Sequence, residues 1–450
     1  MLKADNKKAS KIDLKVGQLP DKVRLILLSV LVGIFAGVGA FILKWIIGHI
    51  TMLLRSVGMN AGGSSGWLML IIPVAGIVLT GIYQRYILRR EIFHGVDRLV
   101  SDLSAHNYNL SPQLTYSPIV ASSITLGFGG SAGSEGPIAY AGAAIGSNVG
   151  RLFRLTPQSV YILIGCGAAA GIAGIFKAPI GGVLFSIEVL MMDFTTISVI
   201  ALFGAAISAA LTAYVLSGCT MDMLWSHNLG FDSDILPEVI ALAVFCGLYS
   251  IYYSTVMKRM AAIYMKFRNP WIRNILSGVV LAACVYLFPS LYGEGYGVMA
   301  EVINSQTYQP FIHSLLESVY TGSGSILFVL GLILVLKCFA ASASNSGGGV
   351  AGDFAPTLFA GCIAGAFFTL SVNSLFGLSL SSEVFAYIGM AGVMSGTIRA
   401  PLMALFLTAE MCNGFDYFLP LVVVTLVSYG MVMAVTKCRF YIGQHEGKTS

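Results

Sequence analysis

The chain has 450 residues, 56% of them hydrophobic and 10% charged, with a formal net charge of +5. Ordinary soluble domains carry roughly a quarter charged residues, so water is not the main solvent of this protein. A net charge this small over this length points to membrane topology and not to nucleic acid as a partner.

Residues 1–23 form a polar lead carrying Lys3, Lys7, Lys8, Lys11, Lys15 and Lys22, with Arg24 next. A basic excess ahead of the first apolar span predicts a cytoplasmic N-terminus. The lead is too long, and the apolar stretch Leu25 to Ile50 too extended, for a cleaved signal. A bilayer core about 30 Å thick needs around 20 apolar residues per crossing helix. Spans are predicted over 24–50, 67–88, 158–192, 196–217, 237–258, 273–290, 325–342, 355–371, 384–412 and 418–436. Several of these are too long or too interrupted for one perpendicular crossing. In the first, Gly33 and Gly37 are small enough to let another helix approach closely. The eight cysteines include no CxxC pair and no histidine at metal-ligand spacing. They are read as apolar packing residues, and no metal or cofactor is expected.

The stretch GFGGSAGSEGPIAYAG, residues 127–142, sets a glycine-rich loop ahead of Pro137, which suits the first turn of a helix. Glycines allow backbone to approach a ligand, and a helix N-terminus offers unpaired amides at its positive end. Gly133, Ser134, Gly136 and Pro137 are therefore candidates for an anion site that needs no fixed positive charge. Glu135 lies within this loop. Its carboxylate would compete for amides built to hold an anion, and protonation would release it, linking proton to anion movement. A solvated loop acid at the membrane surface is the alternative, and local chemistry leaves both open.

Further along, GAAAGIAGIFKAPIGGVLFSIE at 167–188 recurs as GMAGVMSGTIRAPLMALFLTAE at 389–410, with an offset of 222 residues. GSEGPIAYAG at 133–142 recurs as GDFAPTLFAG at 352–361, with an offset of 219. The chain thus reads as two related halves, roughly 24–217 and 237–436, and such halves in transporters often lie inverted with the substrate site near mid-membrane. An acid follows the Ala-Pro step at the same distance in both copies, Glu188 and Glu410. A carboxylate in an apolar helix is costly enough to weaken coincidence as the explanation. The second loop, GGGVAGDFAPTLFAG at 347–361, repeats the first design. It adds Gly352, Asp353, Phe354, Ala355 and Pro356 to the anion-binding candidates, with Asp353 read as a cap on the helix that starts near Pro356.

In these motifs the chain resembles the CLC family of chloride channels and proton-coupled anion exchangers. GSEGP at 133–137 resembles its GxEGP motif, GDFAP at 352–356 its GxFxP motif, and GIFKAPIGGVLFSIE at 174–188 the segment that follows the former. The resemblance runs from about residue 25 to 442. It implies an all-α integral membrane bundle of tilted and broken helices built from two inverted repeats, residues 24–442, with a short tail at 443–450. It also implies a homodimer in membrane lipid with an anion pathway in each subunit, chloride and protons as the transported species, Glu135 as the external gating glutamate, and the Phe354 amide facing the central anion. Counted from Pro420, Tyr441 in RFYIG falls on the tyrosine whose hydroxyl donates to that anion, although a tyrosine also suits a membrane interface.

Three departures follow from the resemblance. The family's first motif, GSGIP, is matched by FHGVD at 93–97, so His94 stands where the anion-binding serine would be. Its imidazole N–H can donate to an anion, but beside Arg89 and Arg90 it can equally lie at the interface. Asp353 would repel an anion unless it is protonated or turned away. Val189 takes the place where exchangers often carry an internal proton-relaying glutamate, after Glu188, which is read as a structural acid tied to backbone or to a base such as Lys177. Valine cannot carry a proton, which favours a channel.

The expected function is transport of small anions, chloride first, by proton-coupled antiport, with a passive channel and a fluoride exporter as alternatives. A cation transporter using Asp353 and Glu135 is a further rival. A membrane-embedded enzyme using Glu135, Glu188 and Glu410 predicts a metal motif such as HExxH, which the six histidines do not form, so no enzymatic activity is expected. The eight residues after Ile442 leave no room for an appended nucleotide-binding domain pair, and so compact a chain is expected in a prokaryotic inner membrane as a multi-pass protein.

Overall fold

The computed structural model describes residues 20–56, 67–90, 95–192, 195–221, 223, 235–304 and 323–446; the side chains at 95, 97, 323–325 and 438–446 lie outside that description. The described residues form sixteen α-helices and no strand. In chain order they are α1 (Asp21–Ser56), α2 (Leu68–Ile82), α3 (Gly95–Ser104), α4 (Ser117–Gly127), α5 (Glu135–Leu152), α6 (Pro157–Phe176), α7 (Pro179–Leu184) and α8 (Thr196–Leu216). There follow α9 (Leu236–Met265), α10 (Pro270–Leu287), α11 (Tyr296–Asn304), α12 (Ser323–Ser346), α13 (Phe354–Phe376), α14 (Ser382–Ile398), α15 (Pro401–Cys412) and α16 (Phe418–Glu446). Among the described residues, nine helices are long and apolar enough to cross a membrane, so the protein is a multi-pass, all-α membrane protein.

The predicted spans that were too long are broken where local chemistry demands it. Segment 158–192 stops at Lys177 and segment 384–412 at Arg399, each in the left-handed region with φ of 57° and 63°. The next residues, Ala178 (φ −124°, ψ 85°) and Ala400 (φ −128°, ψ 80°), are non-helical. Both precede a proline, whose ring disfavours helical backbone in the residue before it, and Pro179 and Pro401 then open α7 and α15. The start of α6 is equally local: Thr156 accepts from Ser159 N, with Pro157 in the first helical position.

By compactness the chain divides into one unit of Met1–Ile42, Val96–Ile119 and Ile138–Thr220, and a second of Leu43–Gly95, Val120–Pro137 and Met221–Ser450. The core of the first is small-residue packing: Leu28, Val32 and Ala36 of α1 meet Ala169 and Ala173 of α6 and Ala205 and Ala209 of α8. A β-carbon on Gly33 or Gly37 would run into the carbonyls of Ala205 or Ala209, so the expected close approach is present. Six of the seven cysteines with described side chains are buried.

The repeat reappears as geometry within each unit. In the first, Gly142 and Gly146 lie against the carbonyls of Gly167 and Leu163. In the second, Gly361 and Gly365 lie against those of Gly389 and Phe385, the residues 219 and 222 further along. These crossings make α6 and α13 the most enclosed spans, with 83% and 72% of their apolar windows buried. One feature differs between copies. After α7 the chain passes into a π-helical turn, Phe185–Val189, whereas α15 stays α-helical to Cys412.

Candidate functional site

Two glycine loops meet in the second unit. The first leaves α4 and ends where α5 begins at Glu135; the second leaves α12 and ends where α13 begins at Phe354, 219 residues on. Gly129 (φ 97°) and Gly348 (φ 123°) take backbone conformations that a side chain would strain. Gly133 N donates to Gly352 O at 2.9 Å and Gly352 N to Gly133 O at 2.6 Å. These two residues are repeat mates, so a reciprocal pair between them gives the loops a local two-fold relation. It also corrects an expectation: the amides of Gly133 and Gly352 are committed to each other and are not donors to an anion in this conformation.

Glu135 is wholly buried, so it is not a solvated surface acid. Its Oε1 accepts from Ala355 N at 2.9 Å and from Tyr296 Oη at 3.0 Å. Ala355 lies in the first turn of α13, where amides have no intrahelical partner. The carboxylate therefore occupies a helix N-terminus that suits an anion. Its Oε2 has no hydrogen-bond partner among the described residues. Glu135 lies outside the nine spans. Burial first, and next the Glu294 carboxylate, push its pKa above the usual carboxylate range against the bonds from its own amide, Tyr296 and Ala355.

Neighbouring candidates divide. Ser134, fully buried, donates through its amide to Glu294 Oε1 at 3.0 Å and through its hydroxyl to the same atom. Gly136 packs on the backbone of Ala351 and Gly352. Pro137 and Pro356 each stand third in their helices, within the predicted first turn, and Phe354 is 4% exposed. Asp353 takes the N-cap position of α13 without making a cap bond, and its Oδ1 accepts from Asn345 Nδ2. The expected capping role is thus replaced by a side-chain pair, because Asn345 at the end of α12 presents its amide to the loop.

Glu188 and Val189 sit half-buried in the π-helical turn of the first unit. Lys177 Nζ donates to Thr220 O at 2.6 Å. His94 lies outside the described residues, as does the side chain of Tyr441, whose backbone continues α16.

The structure adds residues that sequence reasoning passed over. Lys337 of α12 is fully buried; its Nζ donates to Ser131 Oγ at 2.9 Å and stands 4.5 Å from the Phe359 ring centroid. A basic residue therefore backs the first glycine loop through the Ser131 hydroxyl. An ionisable residue inside an apolar span is a functional candidate by its cost alone, and that signal was present in segment 325–342. Glu294 and Tyr296 come from Gly-Glu-Gly-Tyr-Gly at 293–297, a third glycine-flanked acid. Tyr253 of α9 is 1% exposed, and its hydroxyl has no partner among the described residues.

A family model described as voltage gated chloride channel matches residues 75–433. The voltage-gated ClC-type chloride channel ClcB of Salmonella typhimurium is 28% identical over 428 residues, covering 90% of this chain and 95% of that protein. The H(+)/Cl(-) exchange transporter ClcA of Vibrio cholerae is 28% identical over 310 residues, 67% of this chain and 62% of that one. Among solved structures, a slow cyanobacterial Cl-/H+ antiporter superposes with a TM-score of 0.77 at 21% identity, covering 93% of this chain and 95% of that one. A CLC-type fluoride/proton antiporter gives 0.72 at 24%, covering 90% and 94%. At these identities the structural likeness speaks for the fold. Together with the paired glycine loops and the match over residues 75–433, it establishes that the chain belongs to the voltage-gated chloride channel, or CLC, family.

Proposed function

We propose that this protein moves small anions, chloride foremost, across the bilayer in exchange for protons, with Glu135 as the gate. The observation that carries this reading is the buried Glu135 carboxylate on the Ala355 amide. Deprotonated, it fills the place where amides at the head of α13 receive an anion. Protonated, it has lost the charge that held it there, and an anion takes the amide while the side chain carries its proton away. When the proton is released on one side, the carboxylate returns and the anion leaves, so the two move in opposite senses. Ser134, Gly136, Pro137, Asp353, Phe354, Ala355 and Pro356 frame the site in this reading, with the Phe354 amide, the Tyr441 hydroxyl and His94 as donors to the central anion. The names of relatives, a chloride channel in one case and a proton/chloride exchanger in another, support both halves of it.

The protein works in the inner membrane with its N-terminus in the cytoplasm, as a lipid-embedded homodimer with one pathway per subunit. Val189 favours a second reading, passive conduction, because a valine next to Glu188 cannot pass a proton from the cytoplasmic side.

Reversal potentials of purified protein in proteoliposomes under a chloride gradient, with and without an opposing pH gradient, decide between them. Exchange predicts a potential that shifts with pH in the wild type and loses the shift in Glu135→Gln. A potential held at the chloride equilibrium value whatever the pH makes the protein a channel, and absent chloride flux with fluoride flux retained makes it a fluoride exporter. Because burial and the Glu294 carboxylate raise the proton affinity of Glu135, chloride flux is expected to rise as pH falls: the neutral acid no longer competes for the Ala355 amide.

A further inference from the structure

The loop Gly293–Tyr296 serves the gate from both sides. Gly293 (φ 70°) and Gly295 (φ 85°) are both left-handed, and a β-carbon on Gly295 would press into the Phe359 ring at 2.5 Å. Between these glycines Glu294 takes both donors of Ser134, the residue next to Glu135, and just beyond them Tyr296 donates to Glu135 itself. Glu294 is half-buried while Glu135 and Ser134 are closed off from solvent. An acid that accepts two hydrogen bonds is held in one orientation, and its charge acts on the buried Glu135.

Resting on the gating role of Glu135 proposed above, we infer that Glu294 is the positioning residue that sets the pH at which the gate opens, acting through its charge and not through contact with the transported anion. Its carboxylate repels the charged form of Glu135 and favours the neutral one, so the gate accepts its proton in less acid solution than it would alone. The same repulsion contributes to the raised proton affinity of Glu135, where it ranks after burial. Other ionisable groups face the pair. Lys337 of α12 interacts with both carboxylates, Tyr253 of α9 with Glu135 and Asp353, and Lys44 of α1 lies 5.1 Å from the Tyr296 ring centroid. Lys337 favours charged carboxylates, so Glu294 works against a basic neighbour. Its bonds to Ser134 keep the carboxylate beside the gate despite that attraction.

The test is chloride flux from proteoliposomes holding the full-length protein, measured from pH 5 to pH 9 on wild type, Glu294→Gln, Glu294→Ala, Glu294→Asp and Glu135→Gln. Glutamine keeps an oxygen for Ser134 and removes only the charge. The midpoint of the pH profile is expected to move in the acid direction by roughly one pH unit, the usual scale for a neighbouring like charge. Glu294→Ala moves it the same way, and Glu294→Asp, which keeps the charge, returns it towards the wild-type value. A Glu135-dependent profile whose midpoint stays put, or moves in the alkaline direction, in whichever neutral variant inserts and folds overturns the inference and leaves the gate standing. A profile that survives in Glu135→Gln overturns the gating reading beneath it as well, so the two failures are distinguishable.

Discussion

The two glycine loops share a backbone and differ in chemistry. Both turn into a helix at equivalent residues, Glu135 and Phe354, and both contribute one half of the Gly133–Gly352 pair. At the helix start the first copy presents a carboxylate and the second an aromatic ring; one residue earlier Ser134 donates to Glu294, whereas Asp353 accepts from Asn345. The second copy thus supplies the amide and the first supplies the acid that competes for it. The paired loops share a cradle, and the side chains that differ in it set an acid against an amide, the contrast on which the proposed gate rests.

Adding one methyl to each partner of the central pair breaks this comparison most severely. In Gly352→Ala the new β-carbon lies 2.8 Å from the Gly136 backbone nitrogen, which has no freedom to retreat. Overpacking of this kind costs about 1–3 kcal/mol, so a lowered melting temperature in detergent and loss of chloride flux at every pH are expected. Its mate, Gly133→Ala, meets the Glu135 carboxylate first, the movable end of a side chain. That variant is expected to keep its melting temperature within a few degrees, to conduct at pH 9 like Glu135→Gln, and to lose its pH dependence. Equal behaviour of the two variants would dissolve the distinction between the copies.

A smaller effect sharpens it. Lys337 binds the Ser131 hydroxyl of the first loop, while Val350, the repeat mate of Ser131, carries no polar side chain. In Lys337→Met the apparent chloride affinity, read from the concentration dependence of flux, is expected to fall by less than roughly tenfold, which corresponds to about 1.4 kcal/mol, because the lysine braces the first loop through Ser131. Unchanged affinity would separate that brace from anion binding.

Much of the fold was legible because membrane backbones declare their breaks in glycine and proline. The stops at Lys177 and Arg399 were visible as Ala-Pro steps in a duplicated pattern, and the close helix crossings as Gly33 and Gly37. The site was legible in part. Glu135 was a candidate from its glycine loop, although local chemistry left a solvated acid equally open and only the GxEGP resemblance singled it out. Its partners did not stand out, since Ser134 lies 160 residues from Glu294 and Ser131 lies 206 from Lys337, and no local pattern links residues so far apart. The capping expected of Asp353 failed for the same reason: local spacing favoured the first-turn amides, and Asn345 supplied a competing donor.

The sequence by itself determined that this is a membrane protein, that its glycine loops and Ala-Pro steps recur along the chain, and which acid is the candidate gate, because hydropathy, proline and glycine act on the backbone within a few residues. Only the tertiary structure decided that Gly133 and Gly352 satisfy each other, that Lys337 backs the loop, and that Glu294 and Tyr296 close on the gate. Those outcomes depend on which polar groups meet once water is excluded, where each buried donor takes the acceptor that packing brings to it.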